Sequence, residues 1–393
     1  MIRMMSYGSR PNFNSGWDNL IIILPLIAIG CKCTEEDVEN YGFEAINISN
    51  TPYRSEDPSM AVGPDGTIYV FWYESRYDPP GSTGIYYRYR SPNGKWSDVT
   101  FLSRGGGGCC VKIDQSGTIH LAYAWEGLIR YIRKPPAGEW SQPEFVTALG
   151  RSCDPKFEID KWGNIHLIFS ELIGAIRLFY SKRSSNGTWS LPVELNREEA
   201  FHRTRKRIAV NAQGDAHVVW LNIVADTGPD YFLYTTNAIG DTWSYPVPVN
   251  LNDAIVHFTS DIAVDSRGTI HVAWAESNYH ENGPLYRYNE FGKWSEIAVV
   301  DSPGGTRVLL TVDETDRLHL VYNSQIKRGT FYPYYRNKRV YGEWSEPVCL
   351  STNIYASFLS DFAVHAGNVY FIFWGSPETV IEDIFFVEGH NLY

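Results

Sequence analysis

The sequence predicts an all-β fold, a seven-bladed β-propeller in which each blade contains four strands. Three observations support it: a turn motif that recurs about every fifty residues, four short apolar segments in each repeat, and a last repeat that lacks its fourth segment. Repeats of this length that hold several short strands are typical of propellers. The turn position is occupied by Gly66, Gly117, Gly163, Gly214, Gly268 and Gly367, and by Asp316 in one repeat.

One repeat shows the four predicted strands in order. The segment "SDIAVD" (260–265) is the first, and after a tight turn "GTIHVAWAE" (268–276) is the second. The third is "PLYRYN" (284–289), and another tight turn leads to "KWSEIAVV" (293–300). Alternating apolar and polar residues between turn residues favour strands. A tryptophan recurs at the start of the fourth segment: Trp96, Trp140, Trp189, Trp243, Trp294 and Trp344.

The two ends of the chain are predicted to form one blade together. The seventh repeat ends before a fourth strand, and "GFEAINISN" (42–50) matches the fourth strands of other repeats. An N-terminal strand that completes the C-terminal blade closes the ring and removes its exposed edges. We therefore assign residues 42–393 to a single propeller domain and expect a monomer.

The N-terminal residues 1–30 predict a lipoprotein-type signal peptide. The run "LIIILPLIAIG" (20–30) has the length of a signal-peptide hydrophobic region and is short for a membrane span. Ala28 and Gly30 before Cys31 resemble a bacterial lipobox, which implies cleavage before Cys31, a lipid on its sulfur and a tether over residues 31–41. The alternative is an uncleaved signal anchor. Both predict an exported chain held at the cell envelope or cell surface.

The charge of the chain restricts its partners. The formal net charge is −11, and the charged residues are scattered rather than grouped in blocks. Nucleic acids and anionic membrane surfaces attract basic patches. We therefore expect no nucleic acid partner, and membrane attachment only through the lipid anchor.

Five histidines share one register in the second strands: His120, His166, His217, His271 and His319. Seven blades around a ring cannot bring these positions to one metal ion. We interpret the histidines as buried scaffolding, with hydrogen-bond partners supplied by the neighbouring blade.

Functional residues are expected on one face of the ring. The turns between first and second strands and between third and fourth strands are tight and repetitive, for example "DQSG" and "PNGK". The other connections vary in length and sequence, and variable loops on a rigid scaffold commonly carry binding residues. We call the two sides the tight-turn face and the variable-loop face.

Glutamates and arginines of the variable-loop face are the first candidates. Glu74, Glu126, Glu171 and Glu276 lie at or near matching strand ends and could act as acid, base or nucleophile. Alternatively, they pair with local arginines. Arginines from several blades could form a clamp for a carboxylate or sulfate, or neutralise those glutamates; they are Arg54, Arg151, Arg203, Arg205 and Arg307.

A second set of candidates suits proton abstraction beside a uronic acid carboxylate. His257 or His280 with Tyr279 or Tyr355 would supply the base and the acid, and an arginine such as Arg307 would neutralise the carboxylate. His202 lies on the same face. The alternative is that these are ordinary surface residues, because their spacing forms no motif.

The stretch "SRGGGGCCVKI" (103–113) is unusual in its glycines and paired cysteines. We expect a disulfide from Cys109 or Cys110 to Cys153 in the next blade. A vicinal Cys109–Cys110 disulfide and a soft-metal site with a rim histidine are alternatives. No cofactor is expected otherwise, with calcium in the central channel left as an open alternative.

The blades, such as A-V-D-x-x-G-x-I-H-V-x-W followed by G-x-W-S, resemble the BNR/Asp-box repeats of the sialidase-like propeller superfamily. Divergent forms of the Asp-box are "SPNGKW" (91–96), "SSNGTW" (184–189) and "NAIGDTW" (237–243). The resemblance covers residues 42–393 and implies a glycan-binding propeller, but the arginine–isoleucine–proline signature of true sialidases is missing. We therefore expect a protein that binds acidic glycans and cleaves them as a glycoside hydrolase or polysaccharide lyase. The alternative is a non-catalytic propeller that binds carbohydrate or protein.

Overall fold

The computed structural model confirms the all-β, seven-bladed propeller. It describes residues 43–392 except 77–80, 107, 147–150, 174, 197–204, 224–229, 239, 241, 251–258, 276–282, 303–304, 328–329, 352–357, 376–381 and 391. Seven antiparallel sheets follow one another along the chain, and each contains the four strands of a blade. The predicted signal peptide, Cys31 and the tether lie outside the described residues. Within the described part of the chain, no helix has the length and hydropathy to cross a membrane.

The first three blades have regular four-stranded order from the channel outwards. Blade 1 contains β2 (Arg54–Val62), β3 (Ile68–Ser75), β4 (Gly84–Arg90) and β5 (Thr100–Ser103). Blade 2 contains β6 (Cys109–Ile113), β7 (Ile119–Trp125), β8 (Leu128–Lys134) and β9 (Glu144–Phe145). Blade 3 contains β10 (Ser152–Ile159), β11 (Ile165–Ile173), β12 (Ala175–Arg183) and β13 (Val193–Glu194).

The remaining blades repeat this order, with one difference from the predicted pattern, in blade 5. Blade 4 contains β14 (Lys206–Val210), β15 (Ala216–Asn222), β16 (Tyr231–Thr236) and β17 (Val247–Pro248). In blade 5 the predicted fourth strand is split, giving β18 (Ser260–Val264), β19 (Ile270–Ala275), β20 (Pro284–Glu290), β21 (Lys293–Trp294) and β22 (Ala298–Val299). Blade 6 contains β23 (Gly305–Val312), β24 (Arg317–Lys327), β25 (Thr330–Arg339) and β26 (Val348–Cys349). Blade 7 combines β27 (Phe358–His365), β28 (Asn368–Gly375) and β29 (Asp383–Gly389) with the N-terminal β1 (Ile46–Asn47).

The N-terminal strand completes blade 7, as predicted. Ile46 and Asn47 of β1 pair with Phe386 and Phe385 of β29. The Ile48 amide donates a hydrogen bond to the Ile384 carbonyl at 2.8 Å. The Asn47 amide and the Ser49 hydroxyl both donate to the Asp383 carboxylate, at 2.9 and 2.7 Å. Because Ile48 and Ser49 are buried, this short strand is held by side chains as well as by strand pairing.

Neighbouring blades pack face to face, and an apolar cluster fills each of the seven interfaces. Central strands are therefore covered on both faces, and every residue of β15 is buried. The recurring tryptophan packs edge-on against an aromatic ring of the preceding blade. The pairs are Trp96–Phe386, Trp140–Phe71, Trp189–Tyr131, Trp243–Tyr180, Trp294–Tyr234 and Trp344–Tyr286.

The five repeated histidines are buried scaffolding, but their partners come from their own blade. The expectation that the neighbouring blade supplies them is wrong. In blade 3, Nδ1 of His166 lies 2.9 Å from the Tyr180 hydroxyl, and Nε2 lies 3.2 Å from the Asp160 carboxylate in the turn. Equivalent sets are His120 with Asp114 and Tyr131, and His319 with Asp313 and Tyr335. His271 pairs with Tyr286 in the same way, but its Nε2 lies 3.4 Å from Asp265 and makes no hydrogen bond among the described residues. Burial lowers the pKa of all these histidines, so they are held neutral.

Blade 4 departs from this arrangement by exchanging two turn residues. Blade 3 has Asp160 and, four residues later, Asn164, whereas blade 4 has Asn211 and Asp215 at the same places. Nε2 of the buried His217 consequently makes no hydrogen bond among the described residues. Burial lowers the pKa of His217 to about 4 from 6.5.

The double variant Asn211→Asp/Asp215→Asn is expected to raise the free energy of unfolding by about 1 kcal/mol, because it restores the missing partner. The His217 pKa is lower in the folded than in the unfolded chain, so the wild type loses stability as pH falls from 6.5 to about 4. A carboxylate partner raises the folded-state pKa, so the advantage should be larger at pH 5 than at pH 7. Urea unfolding at both pH values measures it. A double variant no more stable than wild type at pH 5 contradicts the assignment, and Asn211→Asp alone should be destabilising because it faces Asp215.

Candidate functional site

The innermost strands of all seven blades line a central channel that encloses about 250 Å³. Its lining includes three basic side chains, Lys112, Lys156 and Arg207, and three acidic ones. The acidic residues are Glu158, Asp261 and Asp361. Lys112 and Glu158 form an ion pair at 2.5 Å. The lining of the channel therefore includes charges of both signs.

Two of the channel aspartates also join neighbouring blades. Asp261 of β18 accepts a hydrogen bond from the Leu310 amide of β23 at 3.0 Å. Asp361 of β27 accepts from the Met60 amide of β2 at 3.1 Å. Burial is the main reason that the pKa of Asp261 is raised to about 6, and Arg207, 3.6 Å away, opposes that rise.

At the variable-loop end of the channel, four innermost strands contain irregularities. The strand register shifts in β2, β10, β23 and β27 near their N-terminal ends. Asp57 and Asp154 lie in two of these shifts and have φ values of 49° and 50°. Bulges and left-handed non-glycine residues are costly and are found near functional sites. We call this end of the channel the channel mouth.

The channel mouth contains a motif that the sequence analysis missed. "RSEDP" (54–58) in blade 1 and "RSCDP" (151–155) in blade 3 place the same residues at the same structural position. In the sequence, this R-S-x-D-P motif is a second repeat just upstream of the turn repeat, but only two of the seven blades contain it. The motif positions Asp57 and Asp154 through the left-handed backbone described above.

Three arginines from blades 4 and 6 lie near enough at the channel mouth to interact electrostatically. Arg205 directly precedes β14, Arg207 lies within it, and Arg307 lies near the start of β23. Burial first, and then the positive charges of Arg205 and Arg207, lower the pKa of the Arg307 guanidinium, while Asp57 opposes them. The Arg307 guanidinium also lies 3.4 Å from the Leu359 carbonyl. These three residues are the arginine cluster. Arg205 and Arg307 were predicted from the sequence, and Arg207 was not.

Lysines next to the arginine cluster are held by Asp154. The buried Lys206 ammonium lies 2.9 Å from the Asp154 carboxylate and 2.8 Å from the Ser170 hydroxyl. Lys156 lies 3.7 Å from the same carboxylate. Burial would raise the pKa of Asp154, but Lys206 and Lys156 outweigh it and hold that pKa well below its ordinary value. Asp154 is thus a fixed anion that orients two lysines.

The structure does not bring Arg54 or Arg151 into this cluster. Arg54 is exposed and forms ion pairs at 2.5 Å with Glu56 and with Glu382. Arg151 is exposed and immediately precedes β10. Arg203 lies outside the described residues.

The predicted glutamates that are described have separate positions in their own blades. Glu74 is fully buried and accepts from Trp72 Nε1 at 2.9 Å and from Arg76 Nε at 2.6 Å. Glu171 is also fully buried; one carboxylate oxygen accepts from the Ser152 hydroxyl at 2.9 Å, and the other makes no hydrogen bond to a residue that the structure describes. Glu126 has a 67% exposed side chain, 3.3 Å from Arg130. None of these three glutamates lines the central channel.

The remaining predicted residues lie outside the described part of the chain: Glu276, His257, His280, Tyr279 and Tyr355, together with His202. Their roles stay predictions.

The expected disulfide is not formed in the structure. Cys109, Cys110 and Cys153 are thiols. Consecutive strand residues point to opposite faces, so Cys109 packs towards blade 1, 3.6 Å from the Asp57 carbonyl, and Cys110 packs in the interface with blade 3. Cys153 is exposed. Among the described residues, no group of three or more His, Cys, Asp or Glu side chains has the arrangement of a metal site.

Comparison with known proteins identifies the architecture but no family. No protein-family model matches the chain, and no curated protein sequence does. Among solved structures, an ulvan lyase described as a new family of polysaccharide lyase, bound to -[GlcA(1-4)Rha3S]-, is 13% identical with a TM-score of 0.59, covering 89% of this chain and 94% of that one. Virginiamycin B lyase from Staphylococcus aureus is 8% identical with a TM-score of 0.54, covering 88% and 99%. An α-L-arabinanase from Penicillium chrysogenum is 14% identical with a TM-score of 0.52, covering 72% and 92%. These proteins share the fold of this chain.

Proposed function

We propose that the protein binds acidic glycans at the channel mouth, where the arginine cluster receives a carboxylate or a sulfate of the sugar chain. The observation that carries the proposal is the proximity of Arg205, Arg207 and Arg307, from two blades, at the channel mouth. Guanidinium groups bind carboxylate and sulfate through two parallel hydrogen bonds. Burial is the main cause of the lowered Arg307 pKa, and a bound anion would counteract it together with the repulsion from Arg205 and Arg207.

The charge of the whole molecule strengthens this argument. The chain carries a formal net charge of −11, so clustered arginines at a partly buried site are contrary to its overall character. Placing several positive charges together at a partly buried site costs free energy through desolvation and repulsion, and an anionic ligand would add to the compensation that Asp57 and Asp261 supply. A protein of similar fold, the ulvan lyase, is solved with a unit that contains a uronate and a sulfated sugar. The ligand class proposed here agrees with that precedent.

We further propose that the reaction, if the bound chain is cleaved, is a lyase elimination rather than hydrolysis. Hydrolysis needs two carboxyl groups roughly 5–10 Å apart on one pocket, and the three described glutamates are each held by residues of their own, separate blades. In elimination, a base removes the proton at C5 of the uronate, the electron pair forms the C4–C5 double bond, and the C4–O bond breaks. An acid protonates the leaving oxygen. His257 or His280 and Tyr279 are the proposed base and acid, with Arg307 neutralising the carboxylate.

The experiment is incubation of the chain from Lys32 onward with neutral, uronic, sulfated and sialylated glycans. Absorbance of unsaturated uronates supports elimination, and new reducing ends without that absorbance support hydrolysis. Retention on an acidic glycan without product supports the non-catalytic alternative. Absence of both product and retention with every acidic glycan contradicts the proposed function.

The affinity for an acidic oligosaccharide is expected to rise about threefold to tenfold as pH falls from 7 to 5. Asp261, whose pKa is raised to about 6, loses its negative charge over this range and stops neutralising Arg207. Uronate and sulfate groups of the ligand remain ionised, so their attraction to Arg207 increases. Titration calorimetry at both pH values measures the change. The Asp261→Asn variant should bind at pH 7 about as tightly as wild type at pH 5, and an equal pH response in that variant contradicts the assignment.

Export and lipid anchoring are proposed on sequence alone. The run at 20–30 and the small residues before Cys31 support a lipoprotein signal. The BNR/Asp-box resemblance supports membership of the sialidase-like superfamily. A lipidated surface protein would meet long glycans, which agrees with the proposed ligand. Metabolic labelling with a fatty acid, lost in Cys31→Ala, tests the anchor.

A further inference from the structure

A groove of about 520 Å³ lies on the tight-turn face between blades 5 and 6, on the opposite side of the ring from the channel mouth. It lies between the first turns of both blades and the second turn of blade 6. Its lining includes Ser266, Arg267, Thr315, Asp316, Arg339 and Tyr341. The volume is within the range of small-ligand sites.

Tyr341 forms an exposed aromatic platform in this groove. Tyr341 is 65% exposed. The Arg267 guanidinium lies 4.3 Å from the ring centre, and the Tyr341 hydroxyl donates to Glu290 of blade 5 at 2.8 Å. The ring is therefore fixed in orientation by two contacts while much of its surface stays open to solvent.

Two residues beside the platform have a costly backbone. Asp316 has φ of 58° at the turn position where other repeats have glycine, and Phe291, next to Glu290, has φ of 51°. The Phe291 side chain is 94% exposed, so it gains almost nothing from burial. Asp316 accepts hydrogen bonds from the Ser266 amide at 2.9 Å and the Ser266 hydroxyl at 2.6 Å. Both positive φ values belong to tight turns, so the Asp316 carboxylate and the turn next to Glu290 have fixed positions beside the platform.

We propose that this groove is a second glycan site, which stacks a sugar ring on Tyr341. A ring of this kind combines an apolar face for the C–H groups of a sugar with a polar edge. Arg339, which is exposed, and the remaining acceptor positions of Asp316 would hydrogen-bond the sugar hydroxyls. The proposal rests on the proposed function only for the class of ligand, because it uses no residue of the channel mouth.

A second site on the opposite face changes how the protein would engage a polymer. Two weak sites on one long chain or on neighbouring chains act together, because the first contact raises the effective concentration at the second. Loss of either site should therefore weaken retention on a polymer. It should have a smaller effect on the binding of a short fragment at the site that remains.

The test uses titration calorimetry of the chain from Lys32 onward with two probes, an ulvan tetrasaccharide and a neutral β-1,4-glucan tetrasaccharide. In an Arg307→Ala background, which weakens the channel mouth, we expect residual binding of at least one probe. Tyr341→Ala should weaken that binding about fivefold to tenfold, and Tyr341→Phe should retain most of it. Tyr245→Ala, which removes an exposed ring elsewhere, is the matched control.

The outcomes separate the two proposals. If Arg307→Ala weakens binding of the acidic probe and Tyr341→Ala changes the binding of neither probe, the groove proposal is wrong and the channel-mouth proposal stands. If the Arg307→Ala background binds neither probe, the groove proposal is also wrong. If Tyr341→Ala weakens binding but Arg307→Ala does not, the groove is the glycan site and the proposed function of the mouth fails.

Discussion

A chain that begins at Thr51 is expected to lose about 5 kcal/mol or more of its free energy of unfolding relative to one that begins at Lys32. The deletion removes β1, and with it the buried Ile48 and the hydrogen bonds of Asn47 and Ser49 to Asp383. Burial of an isoleucine contributes up to about 3 kcal/mol, and each hydrogen bond contributes about 1 kcal/mol. The deletion also exposes β29 as an edge. Thermal and urea unfolding of the two chains measure the difference.

Point variants separate packing from the loss of the strand itself. Ile48→Ala should cost about 2–4 kcal/mol, because the side chain is fully buried in the interface between blades 7 and 1. Ile46→Ala, in the same strand but 46% exposed, is the matched control and should cost much less. If the chain that begins at Thr51 unfolds at the same temperature as the longer one, then β1 does not hold the ring closed.

Arg307→Ala is expected to weaken binding of an acidic oligosaccharide about tenfold to one-hundredfold. Hydrogen bonds to charged groups contribute about 1.5–3 kcal/mol, and at 1.4 kcal/mol per factor of ten this gives the stated range. The affinity of Arg307→Lys should lie between those of the wild type and Arg307→Ala, because lysine keeps the positive charge but lacks the planar guanidinium. Titration calorimetry with a uronate-containing oligosaccharide measures the change, and raised salt should weaken the wild-type affinity more than that of Arg307→Ala.

Arg54→Ala is the matched control for Arg307→Ala. Arg54 belongs to the same set of predicted clamp residues, but Glu56 and Glu382 already neutralise it. Its removal should change the affinity less than twofold, which would reflect only a small change in long-range charge. Equal losses for Arg54→Ala and Arg307→Ala would contradict the assignment of the ligand to the arginine cluster.

The fold was predictable because every blade packs between two similar blades. Each recurring tryptophan packs on an aromatic ring of the preceding blade, so the same environment favours the same residue in six blades. The histidine partners were also readable. Asp114 precedes His120 by six residues, and the same spacing joins Asp160 to His166. Strand alternation alone predicts partners in the neighbouring blade, whereas the aspartate lies in the turn of the histidine's own blade.

The site was less predictable because it departs from the repeat. Glu74 was expected at a functional rim, yet a serine on the adjacent strand, a tryptophan and an arginine bind it inside blade 1. Arg207 lies in the middle of a strand pattern and resembles any exposed polar position of an alternating segment. Only the closed ring makes that position face the channel. Bulges at Asp57 and Asp154 redirect side chains in a way that residue spacing does not encode.

The closing strand also has a consequence for assembly. The contact between Asn47 and Asp383 joins residues 336 positions apart, so the first strand of the ring must wait for the last blade before it finds its partner. Until then β29 offers an unpaired edge that the N-terminal strand of another copy fits equally well. Concentrated refolding therefore favours exchanged dimers, whereas dilution favours closed single rings, since the strand on the same chain is then present at the higher effective concentration.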